Sequence, residues 1–194
     1  MTQRKTDDGL LRERILEKAR ELFNIKGCRF TMDELSRSLG MSKKTLYKVF
    51  ADKEELLLAM IDDLFDRARE NKNFKRRKDA FRTFNETIET IVSWCGMLDP
   101  GKVEEMGRKY PQIDRHREER LDESWKETER ILTGAMAYGL IDEAPIPVIR
   151  ILLESFMRVV YGNETLAREG ISYSDAILAV STILMKGTVR GRKR

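Results

Sequence analysis

Apolar residues recur at spacings of three and four along most of the chain and no alternating strand pattern interrupts them, so the sequence predicts an all-α protein. A first helix is expected from about Asp8 to Lys26, with Leu11, Ile15, Ala19, Leu22 and Phe23 on one face and Gly27 as its stop. Thr31 then opens a short second helix. Glu34 stands at the capping-box position, Phe30 can staple onto Leu35, and Gly40 closes the helix after Leu39. Ser42 is the N-cap of a third helix, with Met41 able to staple onto Leu46. Two short helices joined by a glycine turn make a helix-turn-helix. A fourth start lies at Asp52, with Glu55 in the box position, and leads into a long helix through Leu56, Met60, Leu64 and Ala68.

Further helices fit Asp79 to Leu98, Pro100 to Tyr110, Gln112 to Tyr138, Ile146 to Arg168 and Ser172 to Thr188. The last two differ in pattern. Val148, Ile149, Ile151, Leu152, Leu153, Phe156, Met157, Val159 and Val160 nearly encircle one, and Ala176 to Val180 with Ile183 to Met185 do so for the other. A helix apolar on most sides needs cover on most sides, so this pair is expected to meet a second copy of the chain.

The third helix carries the candidate chemistry. At helical steps Lys43, Tyr47, Lys44 and Lys48 fall within an arc of roughly 140°, while Thr45, Val49, Leu46 and Phe50 share the opposite side. Three lysines and a tyrosine on the free face of the second helix of a helix-turn-helix suit the major groove of double-stranded DNA: lysine meets phosphates or guanine edges, and tyrosine reaches a phosphate through its hydroxyl. The competing reading is a merely solubilising lysine face.

Charge sharpens this picture. The 194 residues sum to only +4, but residues 1–50 carry +5, residues 51–185 carry −6 and residues 186–194 carry +5. The head is basic, the body acidic, and the tail ending Arg190-Gly191-Arg192-Lys193-Arg194 basic and expected to be disordered. The run Lys72 to Lys78 reads as a solvated connector, with phosphate contact as the alternative.

Other chemistries lack material. His116 is the sole histidine, in a very polar stretch that reads as solvated helix surface; no glycine-rich phosphate loop occurs, and the carboxylates single out no acid/base pair. Cys28 and Cys95 match no zinc-ligand spacing and read as reduced structural residues. The expectation is no enzyme, catalytic residue, metal or cofactor. With no apolar run long enough for a membrane span and a polar start, a cytoplasmic protein without membrane association is expected.

The segment Thr31 to Leu57, TMDELSRSLGMSKKTLYKVFADKEELL, resembles the DNA-binding segment of the tetracycline-repressor (TetR) family. The shared elements are the Thr opening helix two, the Gly-apolar-Ser turn, Thr-Leu-Tyr in the recognition helix, the closing Phe and the Lys-Glu-x-Leu start of helix four. Weaker similarity continues through Tyr110-Pro111, Gly139-Leu140-Ile141 and the last helix. The resemblance implies a three-helix DNA-binding domain over residues 1–52, a larger helical ligand-binding and dimerising domain over 53–188 and a tail over 189–194. It also implies a one-component regulator, a repressor, that binds palindromic operators as a homodimer through its last two helices and leaves them when a small-molecule effector binds. Carried over by position, it gives Thr31 and Ser42 as phosphate anchors, Lys43 and Lys44 at the base-reading end with Thr45, Tyr47 and Lys48 alongside, and Lys53 at a phosphate. Thr45 and Tyr47 also read as packing residues. Val49 departs from the family, which often has a DNA-touching His or Tyr there.

Candidate effector-pocket residues are Phe84, Ile88, Ile91, Trp94, Met97, Trp125, Met136 and Phe156, each also readable as ordinary core. Their bulk suits a hydrophobic or aromatic effector, while nearby acids suit a cationic one; the effector stays open. A different class, a helical interaction scaffold without operator binding, is the alternative to the regulator.

Overall fold

The computed structural model describes residues 2–70, 97–137, 139, 143, 145–160 and 163–188. These residues form helices and connections, with no strand among them: α1 (Thr2–Lys26), a 3₁₀ turn (Gly27–Arg29), α2 (Met32–Ser38), α3 (Lys43–Val49), α4 (Lys53–Glu70), α5 (Pro100–Lys109), α6 (Pro111–Ala137), α7 (Ile146–Val160), α8 (Glu164–Arg168) and α9 (Tyr173–Thr188). The chain divides into two units, Met1–Asp66 with Met97–Arg120, and Arg67–Gly96 with Leu121–Arg194. The expected helix from Asp79, the basic run 72–78, Cys95 and the tail 189–194 lie outside the described residues.

The first unit is built around an apolar core to which every one of its helices contributes. Ile15, Ala19 and Phe23 of α1, Leu35 of α2, Leu46 of α3 and Leu56, Leu57 and Met60 of α4 are fully buried, together with Phe30 and Phe50 in the connections. Met106 of α5 and Ile113 of α6 complete it. Polar contacts stitch the same unit from outside: Arg20 pairs with Asp63, Arg120 pairs with Asp66 at 2.5 Å, and Asn24 donates to the Met97 carbonyl at 2.8 Å. His116 corrects an expectation. It is a half-buried residue whose Nε2 lies 2.8 Å from Asp62 Oδ1, because the face of α6 that carries it turns toward the acidic stripe of α4 instead of water.

In the second unit Ile131, Leu132, Val160, Ala176 and Ile177 are buried. Arg150 of α7 bonds Glu154 at 2.7 Å and also pairs with Asp122 of α6, and its guanidinium lies 5.7 Å from the Trp125 ring centroid. Those two carboxylates raise the Arg150 pKa above its ordinary value. The single helix expected from Ile146 to Arg168 is two helices instead. Asn163 explains the restart, since its side-chain oxygen caps α8 by accepting from the backbone of Thr165 at 3.1 Å and Leu166 at 3.2 Å. α1 begins earlier than expected, because no apolar periodicity marks its first turn.

Candidate nucleic-acid interface

The helix-turn-helix is fixed by capping chemistry on both sides of its turn. Thr31 Oγ1 accepts from the Glu34 backbone at 3.1 Å, and the Glu34 carboxylate accepts from the Thr31 backbone at 2.9 Å, closing the capping box reciprocally. Lys26 bonds the same carboxylate at 2.7 Å. That bond first, and the backbone donor second, hold Glu34 below the ordinary carboxylate range.

α2 ends in a Schellman motif: the Met41 amide donates to Ser36 at 3.0 Å and the Gly40 amide to Arg37 at 3.1 Å. Gly40 takes φ +64°, a left-handed conformation that costs a residue with a Cβ about 1–2 kcal/mol. Ser42 starts α3 immediately afterwards, accepting from the Thr45 amide at 3.1 Å and sharing a 2.9 Å hydroxyl–hydroxyl bond with Thr45.

This frame sets the direction of α3. Leu46 is fully buried and Val49 half-buried, while Lys43, Lys44, Tyr47 and Lys48 are exposed on the other side. The four residues whose helical positions coincide thus share one exposed face. Thr31 and Ser42 stand at its margin as exposed N-caps. Each cap uses a hydroxyl lone pair toward the backbone, which leaves the Thr31 proton, and the Ser42 proton when Thr45 is the donor of their shared bond, for an outside acceptor such as a phosphate oxygen. Thr45 is half-buried and tied to Ser42.

Lys53, expected at a phosphate, faces the protein in the free chain. Its ammonium turns inward and donates to the Cys28 carbonyl at 2.6 Å and to the Phe30 carbonyl, over the Phe30 ring with 4.4 Å to the centroid. These two carbonyls hold the cation that the resemblance assigns to phosphate, and burial lowers the Lys53 pKa. Burial also raises the pKa of the Cys28 thiol. Lys53 therefore ties the first turn of α4 to the link between α1 and α2.

Two contacts of this domain, one on the exposed face and one at the buried side, escaped the sequence. Asp33, in the first turn of α2, meets Lys43 at 2.5 Å, and Arg12 of α1 lies 4.6 Å from the Phe50 ring centroid. Asp33 reads from sequence as an acid favouring a helix N-terminus, and nothing in its spacing names a partner ten residues away. Of the effector-pocket candidates, Met97 is in the first unit and exposed, whereas Trp125, Met136 and Phe156 are in the second and half-buried. Phe84, Ile88, Ile91 and Trp94 lie outside the described residues.

Residues 15–60 match the family model described as bacterial regulatory proteins, tetR family. The helix-turn-helix domain is that of the TetR family. The uncharacterized HTH-type transcriptional regulator YvaF of Bacillus subtilis (strain 168) is 26% identical over 101 residues, which span 50% of this chain and 53% of that protein, about half its length. Over nearly the whole chain the fold is similar to two solved structures. A TetR-family transcriptional regulator from Marinobacter aquaeolei VT8 aligns with TM-score 0.66 at 16% identity, covering 92% of this chain and 91% of that one. The TetR-family regulator PfmR from Thermus thermophilus aligns with TM-score 0.62 at 17% identity, covering 93% and 100%. Residues 15–60 thus carry a TetR-type helix-turn-helix domain, and the chain shares the fold of these solved structures. Among the described residues no helix is long and apolar enough to cross a membrane.

Proposed function

We propose that the chain is a one-component repressor that binds palindromic double-stranded DNA as a homodimer and is released by a small-molecule effector. The observation that carries this reading is the exposed face of α3, with Lys43, Lys44, Tyr47 and Lys48 projecting from a helix whose opposite side is locked into a buried core. Lysines at the start of such a helix meet base edges and phosphates, and the Thr31 and Ser42 hydroxyls add phosphate anchors at either end of the turn. Thr45 supports Ser42, and Lys53 acts indirectly by holding the entrance to α2. Residues 1–52 read DNA, residues 53–188 sense the effector and dimerise, and the basic residues 189–194 add nonspecific attraction.

The dimer reading rests on α7 and α9. Val148, Ile151, Leu152 and Val159 on the first, and Leu178 and Ile183 on the second, are large apolar side chains left exposed in a single copy, Ile151 by 61% and Ile183 by 68%. A second copy removes that surface from water and presents two recognition helices roughly 34 Å apart, one DNA turn. An effector releases DNA only if it binds the DNA-incompetent arrangement more tightly than the competent one. Trp125, Met136 and Phe156 are the described candidates to line its site. The site of action is the cytoplasm, where the genome of a bacterial regulator lies.

Genomic-fragment selection with the purified chain tests the reading: recovered fragments share a palindrome, and the adjoining genes narrow the effector. Recovery of no common sequence, or a monomer by light scattering at micromolar concentration, favours a helical interaction scaffold.

A further inference from the structure

The three lysines of the α3 face are not equivalent. Among the described residues Lys44 and Lys48 have no ionic partner, whereas Lys43 Nζ sits 2.5 Å from Asp33 Oδ2. Both partners keep contact with solvent, Lys43 at 59% and Asp33 at 38% side-chain exposure, so the pair lies on the surface that would face DNA. We infer that Asp33 is a specificity-determining residue that acts through Lys43, tethering its ammonium so that it reads a base edge and is withheld from the phosphate backbone. This inference rests on the DNA-binding reading above.

The physical argument has two parts. An untethered lysine is a mobile charge that satisfies itself on any phosphate within reach, and phosphate contacts carry no sequence information. A phosphate contact made away from Asp33 gives up the ion pair, and one made beside it brings the carboxylate toward a second anion. A contact made from the tethered position keeps the carboxylate partner, and little further side-chain entropy is lost, because the chain is already ordered. The carboxylate therefore penalises nonspecific contacts more than the contact for which Lys43 is poised. Asp33 is itself held in place: it belongs to the first turn of α2, which the Thr31–Glu34 box anchors.

Asp33→Asn removes the charge while keeping the shape. The test measures affinities of the wild type, Asp33→Asn, Lys43→Gln and the double variant for a selected operator duplex and for a random duplex of equal length, each across a salt series. The expected result for Asp33→Asn is a rise of about fivefold in random-duplex affinity, the size an exposed ion pair commands, with a smaller change on the operator. The slope of log affinity against log salt on random duplex steepens by about 1, one added phosphate contact. On the Lys43→Gln background the same substitution leaves the operator-to-random ratio unchanged, and Asp33→Glu restores wild-type selectivity. Equal gains on both duplexes, or an undiminished effect without Lys43, would overturn the inference in favour of a simple field effect of the carboxylate. A wild type that prefers no selected duplex over random DNA instead fails the DNA-binding reading itself, which separates the two.

Discussion

The helix-turn-helix and the α7/α9 pair treat their apolar residues in opposite ways. In the first, caps close the helix starts, a glycine closes α2, and Phe30, Leu35, Leu46 and Phe50 are sealed from water within one chain. In the second, Val148, Ile151, Leu152, Val159, Leu178 and Ile183 remain at the surface. The first buries these residues in a single copy, while the second leaves six large apolar side chains exposed on two helices. Self-sufficiency suits an element that must present fixed side chains to a rigid groove; an unfinished surface suits one whose stability is meant to depend on a partner.

The largest effects should separate these two regions. Leu46→Ala removes a fully buried side chain and is expected to lower stability by about 3 kcal/mol in urea unfolding. Ile151→Ala, measured where the chain is monomeric, should cost under about 0.5 kcal/mol. Equal losses at the two sites would erase the distinction. Next in size, Gly40→Ala should cost about 1 kcal/mol from backbone strain alone, because no atom lies within 4 Å of the added Cβ.

Thr31→Ala should cost about 1 kcal/mol at neutral pH through loss of the cap. The Glu34 half of that box brings a pH dependence whose sign follows from its lowered pKa. Between the lowered value and the ordinary carboxylate range the unfolded chain binds more protons, so the contribution is complete above that range and fades as pH falls through the lowered value. Glu34→Gln should accordingly trail the wild type at neutral pH and match it in acid, as thermal melts across pH would reveal.

The smallest effect concerns Lys53. As a tie between α4 and the α1–α2 link, its replacement by Met should weaken operator binding modestly with an unchanged salt slope. A slope shallower by about 1 would reinstate a direct phosphate contact.

Local chemistry is what a sequence states most openly. The Thr31–Glu34 box, the Gly40 turn, the Ser42 cap and the lysine arc of α3 are each encoded within a few residues and appear as expected. At α4 the pattern holds with a shift of one position: Asp52 caps Glu55, but Glu55 answers to the Ala51 amide. What stayed illegible depends on distant partners. The inward turn of Lys53 needs carbonyls more than 20 residues away, the Lys43–Asp33 pair needs α2 and α3 in register, and the tie of His116 to Asp62 spans 54 residues. The break between α7 and α8 was hidden because apolar periodicity on both sides outweighed the one capping residue, Asn163.

The central claim, that the α3 face reads DNA, meets its most direct test in one titration of a selected operator duplex with wild type and with the Lys43→Ala/Lys44→Ala variant across 50 to 200 mM salt, a range over which phosphate-contacting proteins lose about three to five decades of affinity. The account predicts a steep linear fall for the wild type and, at any one salt concentration, an affinity at least about tenfold weaker for a variant that melts at the same temperature, as expected on losing two contacts of this kind. Equal affinity for the two proteins, or a wild type insensitive to salt, would contradict it.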